Sequence, residues 1–285
     1  QGSGDLAITG AATFITVADE SNIILDASGN AFAAAVTMKA DTGGNETFGN
    51  ITFVDSAAVK LHSSAGTNGD LFIDAGTDLA VGGNLSITAT TGNITQGSEV
   101  AVGGTTTLVT SANDATITLN DADNAFTGAL TITTNDNSGT DAAVIIDGGT
   151  TALIIAASTI DGNLTLTSGA TAGITDSGTV TVGGDLAATT DAGNGVIDMD
   201  QLAVDGSIAL VTDGNGAATV VNDAGLNFAA STVRGALTAT ATTGDITDSG
   251  TLTITGASIF TTRVGGSNIV LDSSANAFAA AVTMK

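Results

Sequence analysis

GNLTLTSGATAGITDSGTVTVGGD, residues 162–185, is the stretch on which the reading of this chain turns. From Leu164 to Thr167, and again from Thr179 to Val182, apolar and hydroxyl side chains alternate one for one. That is the period of a strand with one buried face. Thr and Val are branched at Cβ and favour the pleated backbone. Ser168-Gly169, Ser177-Gly178 and Gly183-Gly184 punctuate the segments at turn positions that need φ > 0. Three short strands with their turns therefore fit into about 22 residues.

The phrase recurs. GNITQGSEVAVGGT at 92–105 and GDITDSGTLTITGA at 244–257 are versions of it, entered by GNLSITATT from Gly83 and GALTATATT from Gly235. Sub-repeats thus start near 83, 162 and 235. A second motif places Phe six residues after an Asp or Asn that closes an apolar strand: IILDASGNAF (Asp26, Phe32), ITLNDADNAF (Asn120, Phe126), VVNDAGLNF (Asn222, Phe228) and IVLDSSANAF (Asp272, Phe278). From Ile94 to Phe126 and from Ile246 to Phe278 the distance is 32 residues, but from Ile174 to Phe228 it is 54, an excess of 22. The gaps from each Phe to the next such Ile are 62, 48 and 18, giving excesses of 44 and 30 over the shortest. Excesses of 22 and 44 are one and two coils of a solenoid, where a partial coil would break the register of every layer above it. The excess of 30 does not fit whole coils. A β-sandwich also has short, regularly spaced strands, but it does not explain quantised insertions. The expected fold is all-β, a right-handed parallel β-helix with coils of about 22 residues.

A longer period encloses the shorter one. SNIILDASGNAFAAAVTMK at 21–39 returns as SNIVLDSSANAFAAAVTMK at 267–285, identical at 16 of 19 positions; across 1–39 and 247–285 the identity is 25 of 39 at an offset of 246. The expectation is a single continuous β-helix over 1–285, an interior piece of a longer repetitive chain. Its neighbours are then further repeats of the same chain or copies stacked end to end.

Composition narrows the classes. There are no Cys, Pro, Trp or Tyr among the 285 residues, so disulfide frameworks and thiolate chemistry are excluded. With 42% hydrophobic residues the chain has enough apolar content for a packed core despite its charge. The net charge of −24 disfavours nucleic acid and anionic lipid. No apolar run reaches the roughly 18 residues of a membrane span, so no membrane insertion is expected. An acidic coat suits extracellular fluid, where cations screen it and charge keeps fibres apart.

The phrase G-N-L-T-L-T…G-I-T-D-S-G-T-V-T-V-G-G, followed by an I-x-L-[DN]-x5-F unit, resembles the repeats of filamentous-haemagglutinin-like exoproteins. The resemblance implies a giant bacterial surface adhesin of the two-partner-secretion type, a right-handed β-helical stalk, and cell-surface or glycan partners. It covers nearly the whole chain and is weakest over 40–82 and 186–220.

Individual residues fit a shaft better than a reactive site. Phe32, Phe126, Phe228 and Phe278 are expected to fill corners of a narrow core, and Asn30, Asn124 and Asn276 to form side-chain ladders between coils. Asp121, Asp123 and Asn124 in NDADNAF, and Asp136 between Asn135 and Asn137, are the candidate Ca²⁺ ligands. Neither stretch has the EF-hand or GGxGxD pattern, so turn formation without a cofactor is the expectation. Asp198 and Asp200 in VIDMD share a strand face and are the candidate paired acids of a polysaccharide-processing enzyme. His62 stands beside Lys60 without a triad, Arg234 and Arg263 lie in separate repeats, and no enzyme activity is expected. Thr-x-Thr at 88–90, 116–118, 131–133, 165–167, 179–181 and 251–253 suggests an ice-binding face, but the irregular spacing places these pairs on different faces. Asn45, Asn50, Asn84, Asn93 and Asn163 stand in N-x-[ST] sequons.

Overall fold

A computed structural model of the chain describes residues 1–18, 21–39, 49–62, 70–73, 79–135 and 142–285. Among them all regular structure is β-strand. Every strand pairing given by register is parallel, and in most of them the partners lie roughly 22 residues apart in sequence, the mark of a β-solenoid. The strands fall into two compact units, Gln1–Gly148 and Gly149–Lys285.

Unit 1–148 builds its coils from three strands. One sheet stacks Ile23–Leu25, Ile51–Asp55, Leu85–Ala89, Thr106–Thr110 and Leu130–Thr133, with Ile23, Ile51, Leu85, Thr106 and Leu130 in one rank. A second aligns Val59, Ile94, Ile117 and Val144. A narrow third carries Leu79–Val81, Val100–Val102 and Ala125–Phe126. Ile51–Asp55 and Leu85–Ala89 alternate buried and half-buried residues without a break. In these two strands Ile51, Phe53, Leu85 and Ile87 are layered inside, while Thr52, Ser86 and Thr88 face out. Each fully buried Leu, Ile or Phe contributes roughly 1.5–3 kcal/mol.

Unit 149–285 has two faces. On face P the single strands Leu164–Ser168, Leu186–Thr190 and Ser207–Val211 stack with Leu164, Leu186 and Ile208 in rank. On face Q each coil contributes two short strands. These are Leu153–Ile155 with Ser158–Ile160, then Ile174–Asp176 with Val180–Val182, then the merged strand Ile197–Val204.

Above this level the two patterns exchange faces. Single strands Ala218–Asn222, Leu237–Ala241 and Ser258–Thr262 now occupy face Q. Face P takes the split pairs Leu226–Phe228 with Ser231–Val233, Ile246–Asp248 with Leu252–Ile254, and Ile269–Val270 with Ala277–Phe278. Ser207–Val211 pairs upward with both halves of the first split pair, and Ile197–Val204, bulged between Met199 and Leu202, pairs with Ala218–Asn222. From Ile174 on face Q to its counterpart Ile246 on face P the chain runs 72 residues and seven half-coils. Seven is odd, so a repeat of this length returns the same phrase on the opposite face.

This corrects the whole-coil rule. The quantum is a half-coil of about 11 residues, and the 30-residue excess that resisted whole coils is about three of them. It also removes VVNDAGLNF from the Phe motif. Phe32, Phe126 and Phe278 close a short strand paired with Ile8, Val102 and Ile254. Phe228 instead lies between Ile208 and Asp248, a half-coil further on than in the other copies. The Asn-Ala-Phe that precedes the other three reads Leu-Asn-Phe here.

Candidate functional site

The most specific arrangement of polar side chains lies between coils, at the start of the Asn-Ala-Phe turn. Asn124 is buried; its Oδ1 accepts from the Val100 amide at 2.8 Å and from Gln96 Nε2 at 2.9 Å, while its Nδ2 donates to Gln96 Oε1 at 3.1 Å. Further donations run to the Leu119 and Asp147 carbonyls at 3.3 and 3.0 Å. Asn30 repeats the pattern: its Oδ1 takes the Leu6 amide at 2.9 Å and Gln1 Nε2 at 2.7 Å, and its Nδ2 gives to Gln1 Oε1 at 2.8 Å. Asn276 takes the Leu252 amide at 2.8 Å and gives to Asp248 Oδ2 at 2.6 Å. In all three, the amide served lies 24 residues earlier. Each asparagine is thus a bolt into the coil below, held by Gln or Asp rather than by another asparagine.

True asparagine ladders stand elsewhere, at the Gly-Asn turns that open strands. The Asn50 amide donates to Asn22 Oδ1 at 2.7 Å, the Asn84 amide to Asn50 Oδ1 at 2.8 Å, and the Thr105 amide to Asn84 Oδ1 at 2.7 Å. Asn163 serves the Asp185 amide, and Asp185 in turn serves Ser207. Asn93 serves Thr116. Four of the five sequon asparagines are therefore structural acceptors, and Asn45 lies outside the described residues. The Asn that follows Gly and precedes Leu or Ile at 84, 93 and 163 is the sequence signal for this role.

The aromatic residues sit in the core. Phe126 and Phe228 are fully buried and Phe32 nearly so, and rings of neighbouring coils meet: Phe14 with Phe32 at 6.4 Å, Phe32 with Phe53 at 5.1 Å, Phe228 with Phe260 at 6.2 Å. Phe278 is half-buried and meets Phe260 at 6.1 Å.

The candidate cation ligands do not converge. Asp121 accepts its own turn's Asp123 amide at 3.0 Å, Asn124 is committed to Gln96, and Asp136 lies outside the described residues. Among the described residues no group of three or more His, Asp or Glu is placed to hold a metal ion. Asp198 and Asp200 are both exposed on one side of Ile197–Val204. They lie next to Asp176, whose carboxylate accepts from the Asp200 amide at 3.2 Å and the Gln201 amide at 2.8 Å. Burial pushes the Asp176 carboxyl above its ordinary value, and the charges of Asp200 and Asp198 add to the rise against those hydrogen bonds. Arg234 and Arg263 belong to different coils, and only the backbone of Lys60 and His62 is described, in the strand Val59–His62.

One acid was missed by the sequence reading. Asp55 ends the Ile-Thr-Phe-Val-Asp strand on its inward parity, in rank with Ala89, and is buried. Desolvation pushes its carboxyl up, opposed by hydrogen bonds from the amides of Phe32 and Ala57 at 3.3 Å each.

The outward side of the first sheet differs from the expectation for Thr-x-Thr. Thr52, Ser86, Thr107 and Thr131 form one rank and Val54, Thr88, Val109 and Thr133 the next, all partly exposed. The motif was hidden because Ser or Val interrupts it in three of these four coils. Neither rank contains a charge, whereas Asp5, Asp114, Asp121 and Asp123 lie outside the strands. In unit 149–285 a shallow depression of about 230 Å³, lined by Asp205, Gly206, Gly225, Asn227 and Asp245, marks the level where the strand patterns exchange faces.

The family model described as "Repeats of unknown function (DUF5649)" matches residues 1–39, 43–133, 141–213 and 214–285. The chain belongs to this repeat family. The copies 141–213 and 214–285 have the length of the seven-half-coil unit, and 1–39 ends on the same phrase as 214–285. No curated protein and no solved structure matches the chain.

Proposed function

We propose that this chain is a structural segment of an extracellular filament: a rigid, acidic β-helical shaft of a repetitive, adhesive cell-surface protein, without chemistry of its own. The observation that carries this reading is the seven-half-coil unit. Successive copies join by the same strand pairing that builds each copy, so the unit adds length without a seam. The bolts and ladders fix each coil on the one below, and the net charge of −24 opposes collapse of neighbouring shafts onto one another. The partners in this reading are further repeats or end-to-end copies, with a cell surface or its glycans reached by other parts of the assembly. Electron microscopy of the native material tests it. A meridional reflection near 4.8 Å, with 246 residues advancing about 50–55 Å, is the expected result. Isolated particles without that reflection overturn it.

The uncharged Thr, Ser and Val ranks favour a second reading, a flat face that orders water against ice or a crystalline glycan. Ice-growth inhibition by the purified chain, abolished by Thr107→Lys with Thr131→Lys, is the result that would select it. A calcium-stabilised variant of the shaft predicts a higher melting temperature with Ca²⁺ that chelation reverses.

A further inference from the structure

Residues 21–39 and 267–285 are near-identical in sequence, and they share three lower contacts. Phe14 and Phe32 meet at 6.4 Å and 90°, and their counterparts Phe260 and Phe278 at 6.1 Å and 89°. Asn30 and Asn276 each accept an amide 24 residues earlier. Val36–Lys39 pairs downward with Ala12–Ile15 as Val282–Met284 pairs with Ser258–Thr262.

The upper contacts are not the same. Over 21–39 the strand Ile51–Asp55 lies on Ile23–Leu25, with Ile23 opposite Ile51, Ile24 opposite Thr52 and Leu25 opposite Phe53. The Ile23 amide donates to the Asn50 carbonyl at 3.0 Å, the Asn50 amide to Asn22 Oδ1 at 2.7 Å, and the Phe32 amide to Asp55 Oδ1 at 3.3 Å. Leu71–Ile73 then covers Val36–Met38. Under this cover Val36 is 2% and Met38 0% exposed, whereas the counterparts Val282 and Met284 are 39% and 53% exposed. Both sit in inward ranks, Val282 above Ser258 and Met284 above Phe260. Ile23, Leu25 and Phe32 are buried; Ile269, Leu271 and Phe278 are half-buried.

We infer that the coil 267–285 is completed by a strand with the pattern Asn-Ile-Thr-Phe-Val-Asp of Asn50–Asp55, supplied by a further copy of the repeat in the register that Asn50–Asp55 adopts on Ile23–Leu25. This inference rests on the shaft reading and adds the residues and register of the joint. Three contacts define the fit. Asn268, the counterpart of Asn22, presents its Oδ1 to the incoming Asn amide. The Phe278 ring receives the incoming Phe as Phe32 receives Phe53 at 5.1 Å. The incoming Asp accepts the Phe278 amide. An unrelated β-strand would satisfy the Ile269 backbone and, with its own amide, the Asn268 acceptor, but neither the Phe278 ring nor the Phe278 amide, so the edge selects its own kind.

The test extends the full chain past Lys285 with the sequence of residues 40–110 and follows amide hydrogen exchange. Slowing by about tenfold or more at Ile269, Leu271 and Phe278, with a rise in melting temperature, is expected. Asn268→Ala, or Asp in the extension at the position copying Phe53, should reverse most of the slowing. Unchanged exchange at those three amides overturns the inference, whether or not the extension is itself protected. Slowing that the Asp at the position copying Phe53 does not reduce also overturns it, because the cover would then be a generic strand. Fibres in the native material without this protection leave the shaft standing and refute the joint; protection without fibres does the reverse.

Discussion

Asn124 and Gln96 face each other from successive coils as a closed pair of amides, Oδ1 to Nε2 at 2.9 Å and Nδ2 to Oε1 at 3.1 Å. The pair is the polar counterpart of the apolar ranks around it. It satisfies the Val100 amide and fixes which turn sits over which strand.

Replacing Asn124 by Leu leaves the buried Val100 amide without its acceptor and takes from Gln96 one of its partners, the Ser98 carbonyl and the Asp121 amide remaining to it. A buried unpaired amide costs roughly 1–3 kcal/mol, so Asn124→Leu should destabilise the fold by about that much in urea unfolding. Gln96→Asp should be milder, because Asp248 holds Asn276 in the equivalent place. Equal losses for the two variants would contradict the bolt.

The pH dependence runs against the usual acid lability. Asp55 and Asp176 have folded-state pKa values raised chiefly by burial. Between the unfolded and folded pKa values the native state holds more protons than the unfolded chain. Stability therefore rises as pH falls through that window and is lower above it. Relief of repulsion among 29 acidic residues against 5 basic ones acts in the same direction. Thermal melts from pH 7 down to about pH 4 should shift upward, and Asp55→Asn should flatten the shift while raising stability at pH 7. A fall in melting temperature across that range would refute this.

Gly173 has φ of +69°, and a Cβ there would collide with the Val196 carbonyl of the next coil. The turn must pass under Val196 because the Ile174 amide donates to that carbonyl at 2.9 Å. Gly173→Ala combines left-handed strain of roughly 1–2 kcal/mol with a backbone clash. It should therefore lower stability by more than Gly265→Ala, a site with open space around it. Comparable unfolding midpoints for the two would show that the turn yields.

The alternation in Leu164–Ser168 and the glycine breaks around it carry the coil, because strand parity and turn conformation are local properties. Asp55 was within reach on the same logic: Ile51, Phe53 and Asp55 share a parity, and only the habit of assigning acids to the surface hid it. The exchange of faces at Ser207–Val211 is different in kind. It depends on how many half-coils separate two copies of a phrase, and Ile174 and Ile246 look alike in sequence whichever face they occupy. Gln96 as the partner of Asn124 was equally out of reach, since the 28 residues between them become a contact only once the coil length is known.

The stacking of Leu164–Ser168, Leu186–Thr190 and Ser207–Val211 makes one further prediction about length. Leu164, Leu186 and Ile208 share a rank at intervals of 22 residues, so removing residues 164–185 brings Leu186 into the place of Leu164 and deletes one whole coil. Parity and face are both preserved, and the protein should still unfold cooperatively with a modest loss of stability. Removing the single residue Thr165 instead turns the remainder of that strand inside out, driving Thr167 into the core and Leu166 into water. Circular dichroism melts of the two variants separate these cases: the larger deletion should keep its transition and the one-residue deletion should lose it or fall far lower. If the one-residue deletion were the better tolerated, the coil, and with it the ranks on which the shaft is built, would not be the unit of this fold.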